Sequence, residues 1–462
     1  MTTPTDAQLA QIAEKIFVMK DRATTRLPKP ITTPTPPLPP PPAPPPPDRD
    51  TIIRFKAALD WIGTDPDLKD AGIGVIDFTN DAMHPKIWLH NENKAFRIGS
   101  ASKIAMMLAA VQLRLDVRKI LDLKIISTAA EFDELFRNPK LWKLAKPPQS
   151  EMQQIAGAAN APLISKIFDF TKSPVNFFGP DPKLANVEAN RKRIVDKLPA
   201  DGELSWEKVH EFTFAERFWL AGCMSDNVAA TACISEIGVP YIKAVLRSYG
   251  LADTARGMHL LASGGYAPYP RVTRPPDPAA PRPLTYEEPI AVNDWWLNLR
   301  THSFDDNMSH VPGSAAALAA YMIALMTDAF ADPGTGLVAG RDACEDIRNN
   351  LADGGSHAIL SFLAEGADAP DVAGGVSGVA DTTITRQVNK IGILKKSDGA
   401  KSGLVCEFVY LETKQDPAPA APRRVNMKYA VVANGLITSP GVIAARKSEI
   451  LGAAVHNALL SL

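Results

Sequence analysis

Cysteine, histidine, excess charge of either sign and long apolar runs are all scarce in this chain of 462 residues, and each shortage excludes something. Four cysteines, Cys223, Cys233, Cys344 and Cys406, are too few and too scattered for a disulfide framework or a paired-cysteine zinc site. They are expected to be reduced and mostly buried. The eight histidines are dispersed, and neither His84 with His90 nor His302 with His310 has the spacing of a metal-binding helix face. No metal and no cofactor is therefore expected. Lys plus Arg number 50 against 51 for Asp plus Glu, so no net field draws the chain to nucleic acid or to anionic lipid. The longest lipid-like run, AAALAAYMIALM from Ala315, falls short of the roughly 20 residues a membrane span needs. The start, MTTPTDAQLAQIAEKIFVMKDRATTRL, has Glu14 and Lys15 where a secretory signal would be apolar. The expected location is cytoplasmic by default, or periplasmic if the true start lies upstream.

What the chain does have is enough apolar content, 45%, for a substantial core, and 40 prolines, many of them in one place. From Pro28 to Pro47 it reads PKPITTPTPPLPPPPAPPPP, an extended polyproline II spacer. This divides a short helical arm (1–27) from the remainder (51–462), with a linker over 28–50. A stiff tether is the first reading of that linker, and a docking segment for an aromatic-grooved partner the second.

Beyond the linker, TIIRFKAALDWIG carries apolar residues at helical spacing, while AGIGVIDF and KIWLHNE are strand-like. Helical pattern prevails from Lys124 to Pro199, and FTFAERFWLAGCMSDNVAATACISEIG from Phe212 reads as two helices meeting near Ser225. A second proline-rich insertion around Pro270 is followed by helices in SAAALAAYMIALMTDAF and ACEDIRNNL, then by a Gly-rich loop around Gly374. Three strands, ITRQVNKIGIL, LVCEFVYLE and MKYAVVANG, precede a last helix over about 441–460. The expected fold is α+β, with an antiparallel sheet from both chain ends packed against a helical subdomain at about 103–330.

Chemistry concentrates in FRIGSASKIAMMLAA, from Phe96. Ser100 falls at a helix N-terminus with Lys103 one turn later, ahead of an apolar helix that would desolvate the lysine. Desolvation lowers a lysine pKa toward the range of a base, which would make Ser100 a nucleophile. The plainer alternative makes Ser100 an N-cap and Lys103 a snorkelling side chain. Spacing alone does not choose between them, since Ser205 and Lys208 in SWEK satisfy S-x-x-K as well, with no apolar helix behind them.

Two further elements follow in order: Ser225-Asp226-Asn227 between two helices, and Lys390-Ile391-Gly392 on a strand. Together with S-x-x-K they resemble the signature set of the serine β-lactamase and penicillin-binding protein superfamily, S-x-x-K, S-D-N and K-[ST]-G. The flanking AGIGVIDF and MSDNVAATACISEIG resemble its class A branch. The resemblance covers Thr51 to Leu462 and implies a β-lactamase/transpeptidase-like fold. It implies an acyl-enzyme on Ser100 with Lys103 as activating base, Ser225 relaying a proton to the leaving group and Lys390 supplying positive potential. Asn227 would hold the substrate amide, and the oxyanion would lie between the backbone N–H groups of Ser100 and Ile393, beside Gly392.

Two departures follow from that comparison. Ile391 stands where the family carries a hydroxyl that helps bind a substrate carboxylate; a literal K-S-G at Lys401-Ser402-Gly403, within the turn-rich KKSDGAKSG, is the alternative third motif. For deacylation, Glu288 in TYEEPIAVND resembles the E-P start of the loop that carries the class A glutamate, with Asn293 one position late. The expected function is a serine acyl hydrolase acting on a small acyl compound, a β-lactam, amide or ester. A penicillin-binding or DD-peptidase-like activity, an esterase, and a catalytically idle scaffold module are the alternatives.

Overall fold

The computed structural model describes residues 4–15, 49–66, 68–144, 161–170, 187–200, 204–253, 256–260, 312–328, 339–353, 382–395, 403–415, 424–437 and 444–462. The proline-rich stretches, the Gly374 loop, Glu288, Lys401 and Ser402 lie outside these residues.

Helices α1 (Asp6–Lys15) and α2 (Arg49–Leu59) precede strands β1 (Gly72–Asp77), β2 (Lys86–His90) and β3 (Ala95–Arg97). Helices α3 (Lys103–Asp122), α4 (Ala129–Arg137), α5 (Phe214–Gly222), α6 (Asn227–Ile237) and α7 (Val239–Ser248) come next. Short strands β4 (Ala252–Asp253), β5 (Met258–His259) and β6 (Pro312–Ser314) lead to α8 (Ala315–Met326) and α9 (Ala339–Asp353). Three long strands, β7 (Thr382–Lys395), β8 (Gly403–Gln415) and β9 (Asn426–Ile437), and helix α10 (Ala444–Leu460) complete the order. Helix starts are written in the sequence: Thr128 and Thr213 each close a capping box with the glutamate three residues on.

The main sheet has the order β2-β1-β9-β8-β7 and is antiparallel throughout, so strands from the two ends of the chain meet at its centre. Its central strands are apolar at successive positions because both faces are covered. On β8, Cys406, Phe408 and Tyr410 enter the larger core, while Val405, Val409 and Leu411 enter the smaller one. β9 alternates in the same way, Ala430 and Val432 against Tyr429, Val431 and Ala433. The larger core joins the sheet to α3 and the other inserted helices; the smaller one lies under α2 and α10. This is the expected α+β layout, an antiparallel sheet from both chain ends packed against inserted helices, with β7 as an edge strand.

The N-terminal arm departs from the separate placement that the proline-rich stretch suggested. Leu9, Ile12 and Ala13 are buried in the larger core, where α1 packs on α3 and on the short helix Pro139–Leu144. A ten-residue helix is marginal alone, and this apolar stripe gives it a surface to dock on. The ribbon pairing β3 with β6 was not foreseen, because three-residue strands carry no periodicity.

Fully buried His456 of α10 ties the sheet together: its ring nitrogens lie 2.9 Å from the Tyr429 hydroxyl and 3.3 Å from the Thr382 hydroxyl at the start of β7. Burial lowers its pKa from 6.5 to about 4. Between those values the unfolded chain binds the proton and the folded one does not, so stability falls as pH drops from 6.5 towards 4. At about 1.4 kcal/mol per unit the loss reaches at most about 3 kcal/mol. Guanidinium unfolding at pH 7 and pH 4, on wild type and His456→Gln, should show the wild type losing this increment and the variant lacking it.

Candidate active site

The turn before α3 is tight. Gly99 has φ 50°, in the left-handed region that glycine enters without strain, and Gly99–Ser102 forms one 3₁₀ turn leading into α3. The Ser102 hydroxyl donates to Gly99 O at 2.8 Å. Ser100 stays half-buried at the surface of this turn, whereas Lys103, first residue of α3, is completely buried.

The second motif sits in the short connection from α5 to α6. Asp226 caps α6, accepting from Ala229 N at 2.7 Å, while its own N–H donates to Leu220 O at 3.0 Å. Held between these anchors, Ser225 takes φ 57°, a left-handed conformation that a serine adopts only at a cost of order 1 kcal/mol or more. That conformation turns its carbonyl and its hydroxyl toward Lys103.

The Lys103 Nζ accordingly lies within hydrogen-bond distance of Ser100 Oγ at 3.1 Å, Ser225 Oγ at 3.1 Å, Asn227 Oδ1 at 2.7 Å and the Ser225 carbonyl. Four acceptors converge on one nitrogen that has three protons at most. Burial holds the Lys103 pKa well below 10.5; the Lys390 charge lowers it further, and the Asp226 carboxylate opposes both.

The third motif arrives on edge strand β7. Lys390 is 3% exposed, and burial brings its pKa from 10.5 down to about 7. Two residues on, Gly392 lies so close to the Ser100 turn that a Cβ there would stand 2.0 Å from Ile98 O and 2.9 Å from the amide nitrogens of Ser100 and Ala101. The backbone at Gly392 is thereby set beside the Ser100 N–H. Ile391 is half-buried and packs toward the smaller core.

Ser100, Lys103, Ser225, Asn227, Lys390 and Gly392 thus come together at one place, although up to 292 positions separate them in the chain. A cleft of about 240 Å³ reaches two of them, Ser225 and Lys390, and is lined also by Gly222, Cys223, Met224, Asn389 and Ile391. Glu288 and Lys401 fall outside the described residues. The competing pair is elsewhere: Ser205 and Lys208 are exposed, the serine hydroxyl accepting from Lys208 N at 3.4 Å in an ordinary turn. Reading motifs alone missed Cys223, Met224, Asn389 and the electrostatic part of Asp226, although each adjoins or belongs to a matched triplet. Among the described residues no single helix is long and apolar enough to cross a membrane.

No family model and no curated protein matches the chain. Solved structures do. A β-lactamase from Xanthomonas campestris pv. campestris str. ATCC 33913 is 14% identical, with 89% of this chain and 98% of that one covered and a TM-score of 0.38. A class A β-lactamase from Mycobacterium abscessus is 11% identical over 88% of this chain and all of its own, with a TM-score of 0.37. A β-lactamase from Burkholderia phymatum is 11% identical, over 88% and 99%, at 0.39. At likenesses this low, function has to be read from the chain's own side chains.

Proposed function

We propose that this chain is a serine acyl hydrolase that forms an acyl-enzyme on Ser100. The observation that carries the reading is the completely buried Lys103, whose amine contacts Ser100 Oγ, Ser225 Oγ and Asn227 Oδ1 at once. A charge buried this way is costly, so the neutral amine is favoured, and its lone pair is available to the Ser100 O–H.

In this reading the Lys103 amine takes the Ser100 proton as Oγ bonds to the acyl carbon. The oxyanion is held by the N–H groups of Ser100 and Ile393, a reading supported by the close approach of neighbouring Gly392 to the Ser100 turn. Collapse breaks the bond to the leaving group, which takes its proton from Lys103 through Ser225 Oγ. Asn227 orients the substrate amide or ester, and Lys390 favours the anionic transition state. Water then cleaves the acyl-enzyme, with Glu288 proposed as its base. Ile391 supplies no hydroxyl beside Lys390, so an uncharged activated ester suits the cleft better than a carboxylate-bearing β-lactam or D-Ala-D-Ala peptide.

Intact-mass measurement with a fluorophosphonate and, separately, with a fluorescent penicillin tests this. The fluorophosphonate should label wild type and leave Ser100→Ala unlabelled, while the penicillin reacts slowly. Equal labelling of the two proteins, or of neither, overturns the assignment.

The acylation rate should also fall as pH drops, because protonated Lys103 has no lone pair to offer. Apparent midpoints belong to the Lys103–Lys390 pair rather than to one residue. Lys390→Met removes a positive neighbour, so the Lys103 pKa rises and the acid limb of the remaining rate moves to higher pH. A limb that stays in place would show that Lys103 does not set it.

A further inference from the structure

We propose that Cys223 is a second reactive centre in the cleft, a thiol that adds to small conjugated carbonyl compounds and, once alkylated, closes the way to Ser100. Three observations support it. Cys223 caps the C-terminus of α5, is not in a disulfide and is half-buried in the cleft wall, whereas Cys233, Cys344 and Cys406 are buried to 1% exposure or less. Lys390 lines the same cleft, 3% exposed, and among the described residues nothing hydrogen-bonds its amine. The charges of Lys390 and Cys223 also act on one another.

A cation next to a cysteine favours the thiolate, the form that reacts with electrophiles. Lys390, held to about 7 by burial, is partly neutral at physiological pH and is able to take the thiol proton, leaving a thiolate–ammonium pair. Sγ then bonds to the β-carbon of the conjugated compound, the C=C electron pair moves to the α-carbon, and that carbon takes a proton from the ammonium. The net change is addition of S–H across the double bond, with nothing oxidised and nothing expelled. Exposed Met224 gives the electrophile an apolar contact at the cleft wall.

The test uses the whole protein and limiting N-ethylmaleimide at pH 7, followed by intact mass and peptide mapping. One adduct is expected, on Cys223, before any other cysteine reacts, at a rate about 10-fold above glutathione and about 10-fold slowed in Lys390→Met. Alkylation spread over other cysteines, or a Cys223 rate no higher than glutathione's, overturns the proposal. If Lys390→Met does not fold, the wild-type rate between pH 6 and 9 decides, since it must level off at lower pH than that of glutathione. Closure of the site rests on the serine hydrolase reading: alkylated protein should lose fluorophosphonate labelling. If untreated protein is not labelled either, that reading fails, and the alkylation data still decide the thiol.

Discussion

Gly392→Ala is expected to reduce Ser100 acylation by at least about 100-fold, the scale of losing one oxyanion donor. The added methyl meets backbone on every side, Ile98 O at 2.0 Å and the Ser100 and Ala101 nitrogens at 2.9 Å, so no side chain is able to swing away. The alternatives are that β7 moves off the turn or that the turn opens, and either separates the Ser100 N–H from the Ile393 N–H. As an edge strand, β7 is held by hydrogen bonds on the β8 side only and is the element that yields. Overpacking of this kind costs roughly 1–3 kcal/mol, so the variant should still fold. Its unfolding midpoint and its fluorophosphonate labelling rate, measured together, separate the two effects. A folded variant that labels at the wild-type rate would remove the strand from the chemistry.

A second large effect is expected one layer below the cleft. Arg217 of α5 and Glu236 of α6 form a two-pronged ion pair at 2.9 and 2.8 Å, with both side chains at least nine-tenths buried. The pair clamps the two helices whose junction carries Ser225. Burial raises the Glu236 pKa, and the Arg217 charge opposes that rise. Glu236→Ala leaves a guanidinium buried without its carboxylate, a change worth about 3–5 kcal/mol. Denaturant unfolding should show a loss of that order, with Glu236→Gln losing less because it retains one hydrogen bond. A loss below about 1 kcal/mol would mean that water reaches Arg217.

Much of this arrangement was legible from residue order. Alternation in AGIGVIDF and ITRQVNKIGIL marked strands, and the two halves of FTFAERFWLAGCMSDNVAATACISEIG marked helices meeting at Ser225, where α5 and α6 do end and begin. Lys103 was legible as buried because the run behind it is apolar. Three things were not. The close approach of Gly392 to the Ser100 turn depends on how β7 lies across a turn nearly 300 positions earlier, and a lone glycine does not encode that. Ile391 was legible as a missing hydroxyl, but its packing toward the smaller core follows from strand register. Docking of α1 was hidden because a short amphipathic helix looks the same whether it is tethered or packed.

The sheet also fixes when the site comes into being. Thr79, just past β1, bonds to Lys428 of β9, 349 positions on. A contact so distant in sequence closes late, after the loop entropy between its partners has been lost. Ser100, Lys103 and Ser225 emerge from the ribosome well before β7, so a nascent chain holds these three residues without that strand beside them. On the serine hydrolase reading, hydrolytic competence would be acquired only once β7 has been made, and a half-made chain would have no power to acylate itself on passing esters.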